Sequence, residues 1–136
     1  MQLEALDVLR RRILVVDDDP RLLHVLSMYL TIEGYDVDAE LDGDDGLRAL
    51  ERARPDLVLL DIMMPGIDGL EVCRRIKTDP RTRSIPVLMF TSLSSDDDVE
   101  SGRAAGADRF INKPFSLVGL ATVIRSYLSE ARTLAV

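Results

Sequence analysis

The 136-residue sequence contains little cysteine, little histidine and no long apolar run. Its one cysteine, Cys73, cannot form a disulfide bond within the chain, so we expect a reducing compartment, the cytoplasm. Its one histidine, His24, has no second histidine with which to bind a metal ion, and we interpret it as a surface residue. No apolar run approaches the roughly 18 residues that a membrane-spanning helix needs, so we expect no membrane span.

Positive charge is also scarce, since 17 Lys and Arg residues stand against 24 Asp and Glu residues, a net charge of −7. Direct binding of nucleic acid depends on clustered Lys and Arg, so we expect none here. The only basic run, at residues 10–12, is interpreted as a solvated helix end. The hydrophobic content of 46% and charged content of 30% are typical of one soluble domain.

The segment 55–69 is the most informative part of the chain. Its apolar run Leu57–Leu60 predicts a short strand buried on both faces, and the run ends at Asp61. A loop rich in glycine and proline follows, in which no strand can continue. Open α/β sheets bind ligands at the carboxyl ends of their strands, so Asp61 is a candidate site residue. Alternatively it caps the helix beginning near Asp68, but seven residues separate the two.

The apolar pattern predicts five strands, each followed by a helix, which implies a parallel sheet covered by helices on both faces. The strands are predicted at 13–16, 35–40 (an edge strand), 57–60, 86–90 and 109–112. The helices are predicted to begin at Pro20 with Asp19 as N-cap, after Asp42 or Asp44, near Asp68, near Ser95, and after Ser116. The helix at 95–105 has a poor apolar face interrupted by Gly102, which predicts a mobile element.

Three regions are expected along the chain. Residues 12–130 form the single domain, and residues 131–136 form a C-terminal tail. Residues 1–11 carry leucines at 3, 6 and 9, which indicates a weak amphipathic helix. That segment can equally be a linker, a dimer contact or a frayed end, and the pattern leaves these alternatives open.

Polar side chains follow four of the five predicted strands. Because parallel strands end at one edge of a sheet, we expect these side chains to converge there. The first strand is followed by Asp17, Asp18 and Asp19, the third by Asp61, the fourth by Thr91 and Ser92, and the fifth by Lys113.

Three of these carboxylates, those of Asp17, Asp18 and Asp61, would repel one another strongly. Unit charges 4 Å apart repel by roughly 4 kcal/mol at an effective dielectric constant near 20. Lys113 supplies one positive charge, and a divalent cation would neutralise the remainder. Oxygen ligands without histidine or cysteine select a hard ion, Mg²⁺ first and Mn²⁺ second. Asp19 is interpreted as the N-cap rather than as a ligand.

A bound Mg²⁺, an ammonium group and a hydroxyl are the parts that stabilise a transferring phosphoryl group. A carboxylate can act as the nucleophile and form an acyl phosphate. Asp61 is the preferred nucleophile because it stands alone after the central strand, whereas Asp17 and Asp18 come as a ligand pair.

These residues carry a family resemblance, which spans about residues 12–130. The chain resembles the receiver domain of two-component response regulators at Val15–Asp19, Leu60–Pro65 with Asp68 and Gly69, Phe90–Ser92, Ala105–Ala107 and Lys113–Phe115. The resemblance implies a flavodoxin-like (βα)5 fold, a doubly wound parallel sheet with strand order 2-1-3-4-5. It also implies either a single-domain regulator or a piece of a longer protein.

The resemblance further implies roles for single residues. Asp61 is the phosphoacceptor and binds Mg²⁺ together with the side chain of Asp18, the backbone carbonyl of Met63 and, through water, Asp17. Lys113 pairs with the phosphoryl group, and the bond from Lys113 to Pro114 is expected to be cis.

The remaining implied roles concern switching and partners. Thr91 hydrogen-bonds a phosphoryl oxygen, the Ser92 backbone supports another, and Phe110 takes the place of the switch aromatic without the hydroxyl of the common tyrosine. The phosphoryl donor is a sensor histidine kinase, a histidine phosphotransfer protein or a small acyl phosphate. The signal passes to a target or output domain through the 95–130 face, from a monomer or a phosphorylation-dependent homodimer. No enzymatic activity beyond phosphotransfer and autodephosphorylation is expected.

Two other functions remain open. Asp17-Asp18-Asp19 also fits the Asp-x-Asp of haloacid-dehalogenase-type phosphatases, in which Asp17 would be the nucleophile, although such enzymes usually need a longer chain. The other is a receiver-like interaction module that never carries phosphate, against which the complete set of site residues argues.

Overall fold

A computed structural model describes residues 10–92 and 96–135, with side chains described up to residue 128 and not at 96–98. Of the segment 1–11, predicted as a weak helix, a linker, a dimer contact or a frayed end, residues 1–9 lie outside the described residues, as does Ser95. The prediction of a solvated helix end at residues 10–12 is wrong, because Arg10 and Arg11 are not helical and Arg12 is the first residue of a strand. Within these ranges strands and helices alternate as predicted: β1 Arg12–Val16, α1 Pro20–Ile32, β2 Asp36–Glu40, α2 Gly43–Arg52, β3 Leu57–Asp61, α3 Gly69–Thr78, β4 Val87–Thr91, α4 Asp96–Ala105, β5 Arg109–Asn112 and α5 Leu117–Ala135.

The strands form one parallel sheet in the order β2-β1-β3-β4-β5, which confirms the expected topology. All residues of β3 and β4 are buried, because helices cover both faces of these central strands. β2 and β5 are only partly buried, which confirms the prediction of an edge strand at 35–40. Asp61 therefore ends a strand in the middle of the sheet.

Alternation along the strands divides the core into two clusters, one on each face of the sheet. On the first face, strand residues such as Leu59 pack against α1 and α5, and on the second face residues such as Leu60 pack against α2, α3 and α4. Each fully buried aliphatic side chain contributes about 1.5–3 kcal/mol through removal of apolar surface from water. Cys73 lies fully buried in the second cluster, where it packs as a small apolar side chain.

The N-caps of the helices follow the sequence signals. Asp19 Oδ1 accepts a hydrogen bond from the Arg21 backbone N–H at 3.0 Å, which confirms this residue as the cap of α1. For α2 the choice between Asp42 and Asp44 falls on Asp42, and Ser116 Oγ accepts from the Gly119 N–H in the first turn of α5. Asp68 caps α3, so Asp61 does not serve as its cap.

Two acids, Asp56 and Asp108, stabilise the opposite, amino-terminal edge of the sheet. The backbone N–H of Arg12, the first residue of β1, donates to Asp56 Oδ2 at 2.8 Å. The backbone N–H of Val87, the first residue of β4, donates to Asp108 Oδ2 at 2.7 Å. Lys77 completes this edge with an ion pair to Asp108 at 2.8 Å. Each acid thus satisfies a strand N–H that would otherwise lack a partner at the end of the ladder.

The two last helices differ from each other in burial. Among residues 99–105 of α4 only Gly102 and Ala105 are buried, as the poor apolar face predicted. By contrast, α5 buries Leu120, Ile124 and Leu128, and its backbone remains helical through residues 131–135, which we expected to form a tail. Within the described ranges, every helix is too short or too polar to cross a bilayer.

Candidate functional site at the carboxyl edge of the sheet

Three carboxylates meet where β1 and β3 end. One oxygen each of Asp17, Asp18 and Asp61 lies within 4.8 Å of the others. The register explains this convergence, because Val16 stands opposite Leu60, so the next residue of each strand emerges at the same level. Asp17 is fully buried, Asp61 is 6% exposed, and Asp18 is exposed. The predicted acidic cluster therefore exists, with one member open to solvent.

Lys113 bridges the two buried acids. Its Nζ donates to Asp17 Oδ2 at 2.8 Å and lies 3.6 Å from Asp61 Oδ2. The other oxygen of Asp17 accepts the Asp19 N–H at 2.9 Å, so both oxygens of Asp17 are already engaged. The Lys113 ammonium also lies 5.8 Å from the ring centroid of Phe90. The Lys113 ammonium group therefore contacts both buried carboxylates and also lies near the face of an aromatic ring.

The cluster shifts the pKa values of its members. Burial, followed by the charge of Asp17, raises the pKa of Asp61 from 3.8 to about 6, although Lys113 and a backbone hydrogen bond from Met63 oppose the shift. Burial alone would lower the pKa of Lys113, but its hydrogen bond to Asp17 and the charges of Asp61 and Asp17 outweigh that effect and raise it. At pH 7 the Asp61 carboxylate is thus ionised at a cost to the fold.

The donor set fits a hard divalent cation. The three acids offer only oxygen atoms, which Mg²⁺ prefers. One oxygen of each acid lies within 4.8 Å of the others, so the three carboxylates surround one common space in which a single ion would be bound. These residues therefore fit the metal that the sequence suggested.

Thr91 and Ser92 follow β4 beside this cluster. Thr91 is buried, and its carbonyl accepts the Lys113 N–H at 2.8 Å, so the backbone connects these two residues directly. Ser92 is exposed at the rim. Met63, whose backbone carbonyl is the expected third ligand, has an exposed side chain in the loop after Asp61. The expected site residues other than Phe110 thus lie at one edge of the sheet.

Phe110 lies apart from the acids, on the edge strand β5. It stands opposite Met89, two residues before Thr91, and its partly buried ring packs against the second core cluster. The bond between Lys113 and Pro114 is cis, as the resemblance implied.

Sequence reasoning missed two supports of the site. Gly69 lies against the Asp61 carbonyl so closely that an added Cβ would overlap it, because the loop after β3 folds back at this point. The rings of Phe90 and Phe115 stack with centroids 4.9 Å apart beneath Lys113. All three residues belong to segments that carry the family resemblance, but the sequence did not indicate the close approach of the glycine or the stacking of the two phenylalanines.

Comparison with known proteins agrees with this geometry. A family model described as response regulator receiver domain matches residues 13–125. The DNA-binding dual master transcriptional regulator RpaA of Synechocystis is 41% identical over 117 residues, 86% of this chain and 48% of that protein. The response regulator PleD of Caulobacter vibrioides is 45% identical over 115 residues, 85% of this chain and 25% of that protein. The chain therefore spans half or less of the length of these two relatives.

Solved structures give the same result. A CheY-like response regulator receiver domain protein from Methanospirillum hungatei superposes with a TM-score of 0.85 at 30% identity, covering 91% of this chain and 98% of that one. The signal receiver domain of a signal transduction histidine kinase from Syntrophus aciditrophicus has a TM-score of 0.83 at 38% identity, covering 88% and 91%.

Proposed function

The chain belongs to the family of response regulator receiver domains, and we propose that its Asp61 accepts the phosphoryl group. One observation carries this choice. Both oxygens of Asp17 accept hydrogen bonds and its side chain is fully buried, whereas Asp61 retains access to solvent at the centre of the sheet. A nucleophile must reach the phosphorus atom of its donor, so Asp61 suits the role better than Asp17, the nucleophile of the phosphatase alternative.

The reaction is a transfer between two covalent partners. An oxygen of the Asp61 carboxylate attacks the phosphorus of a phosphohistidine, a new P–O bond forms, the P–N bond breaks, and the neutral imidazole leaves after taking up a proton. Asp18, Asp61, the Met63 carbonyl and, through water, Asp17 would hold Mg²⁺, which neutralises charge on the transferring group. Lys113, now 3.6 Å from Asp61, pairs with a phosphoryl oxygen.

Phosphorylation also changes the shape of the domain. The new group adds about −1.5 to −2 of charge at Asp61. The Thr91 hydroxyl and the Ser92 backbone N–H donate to its oxygens, the loop after β4 follows, and α4 and Phe110 shift. Moving a two-state equilibrium from 1:99 to 99:1 needs roughly 5.5 kcal/mol, and a hydrogen bond to a charged group supplies about 1.5–3 kcal/mol. Thr91 and Lys113 must therefore act together.

The partners follow from the exposed surfaces. On α1, which begins beside the acids, Val25, Met28 and Ile32 form an apolar stripe that is 45%, 54% and 79% exposed. Their spacing places them on one helix face, which suits docking of a helical histidine kinase or phosphotransfer protein. The 95–130 face carries the signal to a target or output domain, from a monomer or a phosphorylation-dependent homodimer. We propose no direct contact with nucleic acid for this chain.

Labelling with acetyl phosphate and Mg²⁺ tests the proposal. The parent chain and Asp44→Asn, a control at an exposed acid outside the cluster, should both acquire phosphate, whereas Asp61→Asn should not. Borohydride trapping should place the acyl phosphate on Asp61. Label on Asp17 would support the phosphatase, and the absence of any spectral change with Mg²⁺ and beryllofluoride would support the interaction module.

The switch has its own test. Replacing Thr91 by Ala removes the hydroxyl but no ligand of the metal, so labelling should persist while the response of α4 weakens. Amide NMR spectra recorded with and without beryllofluoride measure that response. If Thr91→Ala shows the full response of the parent, the switching scheme is wrong.

A further inference from the structure

The ring of Phe110 lies directly against the backbone of Gly102. Gly102 is buried in α4, and a Cβ added there would overlap Cε1 of Phe110 and lie 2.5 Å from its Cζ. Ordinary contact between carbon atoms begins at about 3.5 Å, so no side chain can occupy position 102 while the ring stays in place. This close approach couples α4 to the edge strand β5.

The backbone of Gly102 does not itself require glycine. Among the described residues, positive φ angles occur only at Gly34, Gly66 and Gly106, so Gly102 has an ordinary helical conformation. Glycine weakens the interior of a helix relative to alanine, and α4 buries few side chains that would offset the loss. The position of the Phe110 ring is therefore the structural reason for a glycine here.

We propose that Gly102 is a positioning residue for Phe110, because the lack of a side chain at position 102 leaves room for the ring in the unphosphorylated chain. The contact thereby sets the equilibrium between chains in which the ring lies against Gly102 and chains in which the ring has moved away. An added Cβ would overlap only the end of the Phe110 side chain, with the Met89 sulfur at an ordinary contact distance of 3.6 Å, so we expect an added side chain to displace the ring rather than the helix. The role in signalling rests on the proposed function, in which Phe110 moves after phosphorylation of Asp61.

A double-mutant cycle tests the contact without any phosphate. Gly119 in α5 offers a matched control, because it is exposed and an added Cβ there meets only Ser116 at 3.5 Å. In urea unfolding, Gly119→Ala should raise the ratio of folded to unfolded chains by up to about fivefold, the ordinary gain for a helical glycine. Gly102→Ala should not raise this ratio in the parent chain. It should raise the ratio in a chain that also carries Phe110→Ala, because the ring is then absent. An equal gain in both backgrounds would overturn the proposal.

Beryllofluoride binding in the presence of Mg²⁺ tests the consequence for the switch. If the contact stabilises the unphosphorylated arrangement, Gly102→Ala should bind this phosphoryl mimic about two- to fivefold more tightly than the parent, because part of the conformational cost has been removed. Gly119→Ala should bind like the parent. Equal or weaker binding by Gly102→Ala would refute the regulatory role.

The two measurements also separate this proposal from the function on which it rests. If the parent chain binds no beryllofluoride, the assignment of Asp61 fails and the regulatory role of Gly102 fails with it, while the unfolding cycle still decides whether the contact positions the ring. If the parent binds and the cycle shows no coupling, the contact is refuted and the assignment of Asp61 stands.

Discussion

Replacing the central acid should make the metal-free protein more stable. Asp61 is 6% exposed, and burial together with Asp17 raises its pKa from 3.8 to about 6. Folding at neutral pH therefore forces a charge into a place that disfavours it. Asparagine has nearly the same shape without the charge, so Asp61→Asn relieves the strain that the acidic cluster imposes on the fold.

The size of the effect follows from the shift. Each pKa unit corresponds to 1.36 kcal/mol, and the shift of Asp61 from 3.8 to about 6 spans roughly two units. Asp61→Asn should therefore raise the free energy of unfolding by on the order of 3 kcal/mol at pH 7.5. The pKa of Asp61 is higher in the folded than in the unfolded chain, so its ionisation lowers the free energy of unfolding of the parent. This loss is complete above pH 6 and disappears as the pH falls toward 3.8. At pH 4.5 the difference should shrink to about 1 kcal/mol.

Urea unfolding followed by circular dichroism measures this difference. The metal-free arm contains EDTA, and Asp18→Asn serves as a control, because the Asp18 side chain is exposed and its replacement should stabilise less. Mg²⁺ at about 100 times its dissociation constant should stabilise the parent by about 2.7 kcal/mol and so nearly cancel the difference in the free energy of unfolding. Equal or lower stability of Asp61→Asn in EDTA at pH 7.5 would refute this account of the cluster.

Three further predictions follow from the same contacts. Lys113→Met removes the partner of the fully buried Asp17, so it should lower the metal-free free energy of unfolding by about 3 kcal/mol in urea, and Mg²⁺ should narrow the gap. Burial raises the pKa of the Cys73 thiol to about 11, so a thiol reagent at pH 8 should react only as urea unfolds the chain; rapid reaction without urea would contradict its burial. Asp19→Ala should cost about 1 kcal/mol in urea as a lost N-cap, while calorimetry should find Mg²⁺ affinity unchanged; weaker affinity would make Asp19 a ligand.

The elements could be predicted from the sequence because local signals agree with the tertiary structure. Apolar runs such as Leu57–Leu60 end at residues that cannot continue a strand, and in a parallel sheet this alone brings their polar ends together. The choice between Asp42 and Asp44 could not be made, since both residue types suit an N-cap and only the backbone path decides. The end of α5 could not be predicted either, since no glycine or proline after residue 130 marks where the helix stops.

The contacts inside the site lay beyond the reach of sequence patterns. Lys113 and Asp17 are separated by 96 positions, and their distance of 2.8 Å depends on how the four strands β1, β3, β4 and β5 end relative to one another. The fit of Gly102 against Phe110 likewise depends on the height at which α4 crosses the sheet. The residue types could therefore suggest which groups come together. The partner of each acid could not be predicted, because it depends on the tertiary structure.

The acids Asp56 and Asp108 have a different role at their end of the sheet from the acids of the cluster at the other end. At the amino-terminal end each carboxylate tethers the first N–H of a neighbouring strand, so an Asp→Asn exchange there should weaken the fold, opposite in sign to the same exchange at Asp61. Alignment of the strands at the amino-terminal end thus rests on acids other than those of the cluster. We therefore expect the charge of Asp61 to be replaceable without loss of that alignment.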